Sequence, residues 1–64
     1  MFTVFCKSAE FDELLSVVDE MRLDFVPVSG KSGLYIYPDN EDQIGELQNK
    51  LENIGVSIDV NVGL

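Results

Sequence analysis

Leu34-Tyr35-Ile36-Tyr37-Pro38 stands at the middle of the 64-residue chain, and the rest is read from it. Aliphatic and aromatic side chains alternate, which is the period of a β-strand. Leu34 and Ile36 point to one face of that strand, and Tyr35 and Tyr37 to the other. One face can close a core, while the other offers two rings to something else. Pro38 ends the run. Just upstream, Ser29-Gly30-Lys31-Ser32-Gly33 is a polar, glycine-containing hairpin loop. Before it, residues 23–28 read as a second strand. Pro27 has no N–H to give to a ladder, which places that strand at a sheet edge.

Outward from this hairpin, both flanks carry the same pair of elements. Residues 1–6 alternate as a strand, with Phe2, Val4 and Cys6 on one face and Thr3 and Phe5 on the other. Ser8 reads as a helix N-cap, with Glu10 and Glu13 near the positive end of the helix dipole. Phe11, Leu14, Leu15, Val18 and Met21 then recur at three- and four-residue steps, as on one face of a helix. Asp12, Glu13, Ser16, Asp19 and Glu20 fill the opposite face with no lysine among them. After Pro38, Asp39 or Asn40 is expected to cap a second helix reaching about Ile54. Ile44, Leu47, Leu51 and Ile54 form its apolar stripe. Gly45 weakens that helix and suggests a close backbone approach, and Gly55 suits the left-handed position that stops it. Residues 56–62 alternate again as a last strand with one wet face.

The order strand, helix, strand, strand, helix, strand predicts an α+β, ferredoxin-like βαββαβ domain. Its sheet would be four-stranded and antiparallel, with two helices on one face. Right-handed crossovers would put the first and third strands in the centre. The whole chain, 1–64, is expected to be one such domain. Phe5, Tyr35 and Tyr37, with Val26 and Val28, should then lie on the open face, rimmed by Asp24, Asp59 and Asn61; the alternative is a register in which Phe5 faces the helices. An apolar patch of this kind marks an interaction surface.

Twelve Asp and Glu against four Lys and Arg give a net charge of −8 and a pI near 4.1. Binding to nucleic-acid phosphates needs clustered cations, and Lys7, Arg22, Lys31 and Lys50 are scattered, so no direct nucleic-acid partner is expected. Anionic membranes are disfavoured for the same reason. A basic protein surface is favoured by long-range attraction; the plainer reading is that the charge keeps a small protein soluble. No apolar run approaches the roughly 20 residues of a membrane span. Met1-Phe2-Thr3-Val4-Phe5 lacks the basic flank of a signal peptide, so a soluble cytoplasmic protein is expected. Cys6 is the only cysteine, which leaves no internal disulfide.

Gly30-Lys31-Ser32 has the tail of a phosphate-binding loop. That loop needs glycine where Phe25 stands and a helix, not a strand, after it. Asp39-Asn40-Glu41-Asp42 is dense in carboxylates. A calcium loop counted from Asp39 would need glycine at Ile44 and glutamate at Lys50, so capping explains the cluster better. Lys31-Ser32-Gly33-Leu34-Tyr35-Ile36-Tyr37 resembles the third-strand motif of the RNA recognition motif family, without its second glycine and last aromatic. That resemblance would make Phe5, Tyr35 and Tyr37 a base-stacking platform, against the acidic charge of the chain. The element order also resembles the ACT regulatory domain, which implies a ligand-sensing module working in pairs. Cys6-Lys7-Ser8-Ala9 stands where that family has its glycine turn.

The chain contains no histidine, which removes the commonest general base and the Ser-His and Cys-His nucleophile pairs. No enzyme activity, metal or cofactor is expected. The leading expectation is a small acidic domain that binds and inhibits or regulates a partner protein with a basic surface. Its sharper form is a nucleic-acid mimic, such as a viral or mobile-element inhibitor. Asp12, Glu13, Asp19 and Glu20, with Asp39, Glu41, Asp42 and Glu46, would stand in for phosphates. Phe5, Val26, Tyr35 and Tyr37 would form a second contact or a homodimer face. The alternatives are the ACT-like ligand sensor and a structural homodimer.

Overall fold

The computed structural model describes residues 1–62. Strand β1 is Phe2–Phe5, and a 3-10 turn at Ser8–Glu10 leads into helix α1, Phe11–Glu20. Strands β2, Asp24–Pro27, and β3, Gly33–Tyr37, form the central hairpin. Helix α2, Asp42–Asn53, and strand β4, Asp59–Val62, complete the chain. The fold is α+β: one four-stranded antiparallel sheet in the order β2-β3-β1-β4, with two helices. The first and third strands occupy the centre. Among the described residues no helix is long and apolar enough to cross a membrane.

Register decides which side chains meet. Val4 pairs with Leu34 and Val60, and Phe2 with Ile36 and Val62. Val4, Leu34 and Ile36 therefore share one sheet face, and all are fully buried. They form one cluster with Leu14, Val17 and Val18 of α1 and Ile44, Leu47 and Leu51 of α2. Both helices thus cover the same face. Phe11, Leu15 and Met21 pack against the cluster from its edge.

Both helices end in the same way. Leu23 N–H donates to Val18 O at 3.1 Å and Arg22 N–H to Asp19 O at 3.0 Å. Val56 N–H donates to Leu51 O at 2.9 Å and Gly55 N–H to Glu52 O at 3.0 Å. These are paired Schellman bonds, which satisfy the last carbonyls of a helix. In each, the residue past the end is buried with its partner: Leu23 with Val18, and Val56 with Leu51. The motif needs a left-handed residue. Gly55 takes it at φ 80°, as its sequence position implies, and Arg22 takes it at φ 57°.

The helix starts differ from expectation. Ser8 does not cap α1; its hydroxyl shares a hydrogen bond with the Ser32 hydroxyl at 2.9 Å, across the end of the β1–β3 pair. Neither Asp39 nor Asn40 caps α2, which begins at Asp42. Instead Gln43 Oε1 reaches back and accepts from Asp39 N–H at 2.7 Å and Asn40 N–H at 3.4 Å. Ile54 lies beyond the last turn and is 54% exposed, so it is not part of the stripe. Gly45 is exposed, and a Cβ there would meet nothing within 4 Å, so no backbone approaches it.

Candidate interaction surfaces

Backbone direction fixes where the charges gather. β3 runs antiparallel to β1, and Asp24 at the start of β2 pairs with Tyr37 at the end of β3. The C-terminal turn of α1 leads directly into that end of the sheet, and the loop into α2 leaves from it. Asp19, Glu20, Asp24, Asp39, Glu41 and Asp42 therefore collect at one end of the molecule, and all six are exposed. Among the described side chains at that end, Arg22 is the one cation. Lys7 and Lys31 belong to the opposite end, where Phe5 pairs with Gly33, and Lys50 sits in the far turns of α2.

Asp12, Glu13, Asp19 and Glu20 are all exposed on α1. At 3.6 residues per turn, Asp12 and Asp19 fall on one line of the helix and Glu13 and Glu20 on a second, with Ser16 between. At a rise of about 1.5 Å per residue, these four charges form two adjacent pairs about 10 Å apart along the axis. On α2, Asp42 and Glu46 are exposed one turn apart, with Asp39 and Glu41 ahead of the helix. Beyond Glu46 the same row continues as Asn49 and Asn53, so the negative charge of that row belongs to its N-terminal half. Glu52, not singled out from sequence, adds an exposed carboxylate on the flank of α2.

On the sheet face away from the helices, Thr3 lies beside Tyr35 and Asn61, Phe5 beside Gly33 and Asp59, and Val26 beside Tyr35. Phe5 thus occupies the open face. Tyr37 is 45% exposed and Val26 50%, while Phe5 and Tyr35 are half-buried. The Phe5 ring lies over Gly33, filling the space that a side chain there would take. The Lys31 ammonium stands 5.8 Å from the ring centroid, within cation–π range. Sequence favoured this face for Phe5 without fixing it and did not place the ring over Gly33; the signal was a glycine inside a strand, which often marks a close approach.

A shallow cleft of about 320 Å³ opens where β1 and β4 part, lined by Phe5, Cys6, Lys7, Ser57, Ile58 and Asp59. Burial, and secondarily the Glu10 carboxylate, push the Cys6 thiol above its ordinary range. A thiol so shifted is less reactive near neutral pH, since the thiolate is the nucleophile. Glu10 Oε1 is enclosed without a hydrogen-bond partner. Among the described residues, no group of three or more Cys, Asp or Glu is arranged to hold a metal ion.

Comparison of the chain with protein-family models, with curated proteins and with solved structures finds no match.

Proposed function

We propose that this chain is an acidic, ferredoxin-like protein-binding domain that inhibits or regulates a partner with a basic surface, its carboxylates taking the place of nucleic-acid phosphates. The strand order β2-β3-β1-β4 and the helices on one sheet face support the ferredoxin-like reading. The functional reading rests on one observation: among the described side chains, six exposed carboxylates gather at one end of the molecule with one cationic side chain, Arg22. The two carboxylate lines of α1 lead away from that end. A charge array of this kind steers a cationic partner and weakens as salt screens it.

The test is a pull-down from native-host lysate, washed at low and at high salt, with bound proteins identified by mass spectrometry. A nucleic-acid-handling protein that leaves with salt, and that duplex DNA displaces, is the expected result. Its capture should fail when Asp12→Asn, Glu13→Gln, Asp19→Asn and Glu20→Gln are combined. Capture that resists salt and survives those substitutions would sink the mimic reading. The exposure of Val26 and Tyr37 favours a second reading, a homodimer through the open sheet face. Sedimentation decides it: Tyr35→Glu should dissociate such a dimer, and a wild type already monomeric at high concentration removes the idea.

A further inference from the structure

The two free edges of the sheet are not equivalent. Cys6 N–H donates to Ser32 O at 2.9 Å, which makes Cys6 and Ser32 a hydrogen-bonded pair. Bonded and non-bonded pairs alternate along an antiparallel ladder. Phe2 and Val4 therefore direct their backbone groups toward β3, and Thr3 and Phe5 toward β4. Thr3 pairs with Asn61 and Phe5 with Asp59. The N–H and C=O groups of Val60 and Val62 are left pointing outward. On the other side, Val28 N–H donates to Gly33 O at 2.9 Å, so Val26 and Asp24 face β3 and Phe25 and Pro27 face outward. Pro27 has no N–H, so the outer edge of β2 lacks a donor in its second position.

Proline and lysine on an edge strand are devices that prevent pairing with another chain. The β2 edge has the proline. The β4 edge, Asp59-Val60-Asn61-Val62, has neither. The equivalence of the helix ends sharpens the contrast: Arg22 corresponds to Gly55 and Leu23 to Val56, so Pro27 corresponds to Val60. The half that lacks the proline also keeps its outermost side chain uncovered, Val62 being 78% exposed. β4 finishes beside Phe2, at the end of the sheet where the six carboxylates gather.

We infer that β4 is a strand-addition site, and that its occupant is an extended, lysine- or arginine-bearing segment of the partner protein, paired along Val60 and Val62 as a fifth strand. Backbone bonds of this kind supply affinity without requiring a pocket. The −8 charge of the chain selects a cationic segment and opposes a second copy of the chain. This inference rests on the basic-partner reading and deepens it, because the helices would draw the partner in and the edge would hold it.

The probe is a capped seven-residue peptide alternating lysine and valine, titrated into the ¹⁵N-labelled full chain at low salt. Saturable shifts and slowed exchange at the Val60 and Val62 amides, with Phe25 unmoved, are expected. Val60→Pro and, separately, Val62→Pro should weaken binding at least tenfold with an unchanged far-ultraviolet spectrum, since each copies on β4 what Pro27 does on β2. Two substitutions are used because Val60 also packs against the core, whereas Val62 is exposed. Shifts confined to α1 and the start of α2 would overturn the edge site and leave the acidic-surface reading standing. No shift anywhere would also overturn the edge site, while the salt-washed pull-down decides the broader reading on its own. Shifts at Val60 and Val62 that grow with protein concentration, without peptide, would assign the edge to a second copy and overturn the inference.

Discussion

Replacing Gly33 by alanine tests the packing of the open face directly. A Cβ at position 33 would stand 2.5 Å from Phe5 Cδ1, 2.8 Å from Phe5 Cε1 and 2.8 Å from the Val4 carbonyl oxygen. The ring can swing away, but it then loses its seat on the sheet; the carbonyl belongs to a central strand and cannot move alone. Overpacking of this kind costs about 1–3 kcal/mol. Against it stands a gain of about 0.4–1 kcal/mol, because alanine restricts the unfolded chain. The net is a loss of roughly 1–2 kcal/mol, or about 4–16 °C in Tm for a domain of this size. Phe5→Leu removes the ring but not the Val4 carbonyl. Gly33→Ala should therefore cost less in the Phe5→Leu background, with a coupling of about 1 kcal/mol. The assay is urea and thermal unfolding of the four variants by circular dichroism. A Gly33→Ala protein as stable as wild type would refute the contact; an equal cost in both backgrounds would refute the part given to the ring.

Three further outcomes follow from the same geometry. Arg22→Gly should stabilise the fold by about 1 kcal/mol, because a side chain at φ 57° is strained, and Gly55→Ala should destabilise it by a similar amount, both read from urea midpoints. Thermal stability should rise from low salt to about 0.5 M as the like charges are screened, and the rise should shrink when the four α1 carboxylates are neutralised. A flat salt response would mean that those charges do not repel one another measurably. Glu10→Gln should speed alkylation of Cys6 near neutral pH, since it removes a negative charge that helps to hold the thiol protonated. The sign for stability is that of a raised acid: the neutral thiol's contribution is present below the ordinary thiol range and is lost as pH rises through the raised folded value.

What was legible in the chain was what repeats. The alternation from Leu34 to Tyr37 and the three- and four-residue steps of both helices are imposed by burial on one side, so they are written in side-chain chemistry. Pro27 was legible because an absent donor has few places to go. Helix ends were less so. Ser8 has the chemistry of a cap, but its hydroxyl bonds to Ser32, a residue distant in sequence, and no local reading weighs that competitor. Ile54 continues the apolar spacing of α2, yet the Schellman turn at Gly55 carries it out of the stripe. Arg22 is chemically an ordinary charged residue, and only the backbone reveals it as a left-handed one. The exposure of Asp19, Glu20 and Asp42 could be read from helical period; that of Asp24, Asp39 and Glu41, which lie outside the helices, could not be read that way. Nor could the collection of all six at one end, because it depends on which way each element runs.

The chain's two halves carry one plan with opposite treatment of their exits, and that difference bears on function. Val18 and Leu23 in the first half answer to Leu51 and Val56 in the second, with the same pair of hydrogen bonds closing each helix. The equivalence stops short of identical packing, because Val60 is half-buried against the core whereas Pro27 is exposed. The strands that follow differ at the residue whose backbone faces solvent: Pro27 in β2, Val60 in β4. A fold that needed only to stay apart from its neighbours would gain from proline in both places, since proline on a free edge costs the ladder nothing. Packing accounts for the valine side chain at position 60, and its open donor, in the half that ends beside the carboxylates, is the group that the inferred partner strand would use. The four-stranded sheet is complete as a folding unit, and the inferred strand addition would extend it on the β4 side.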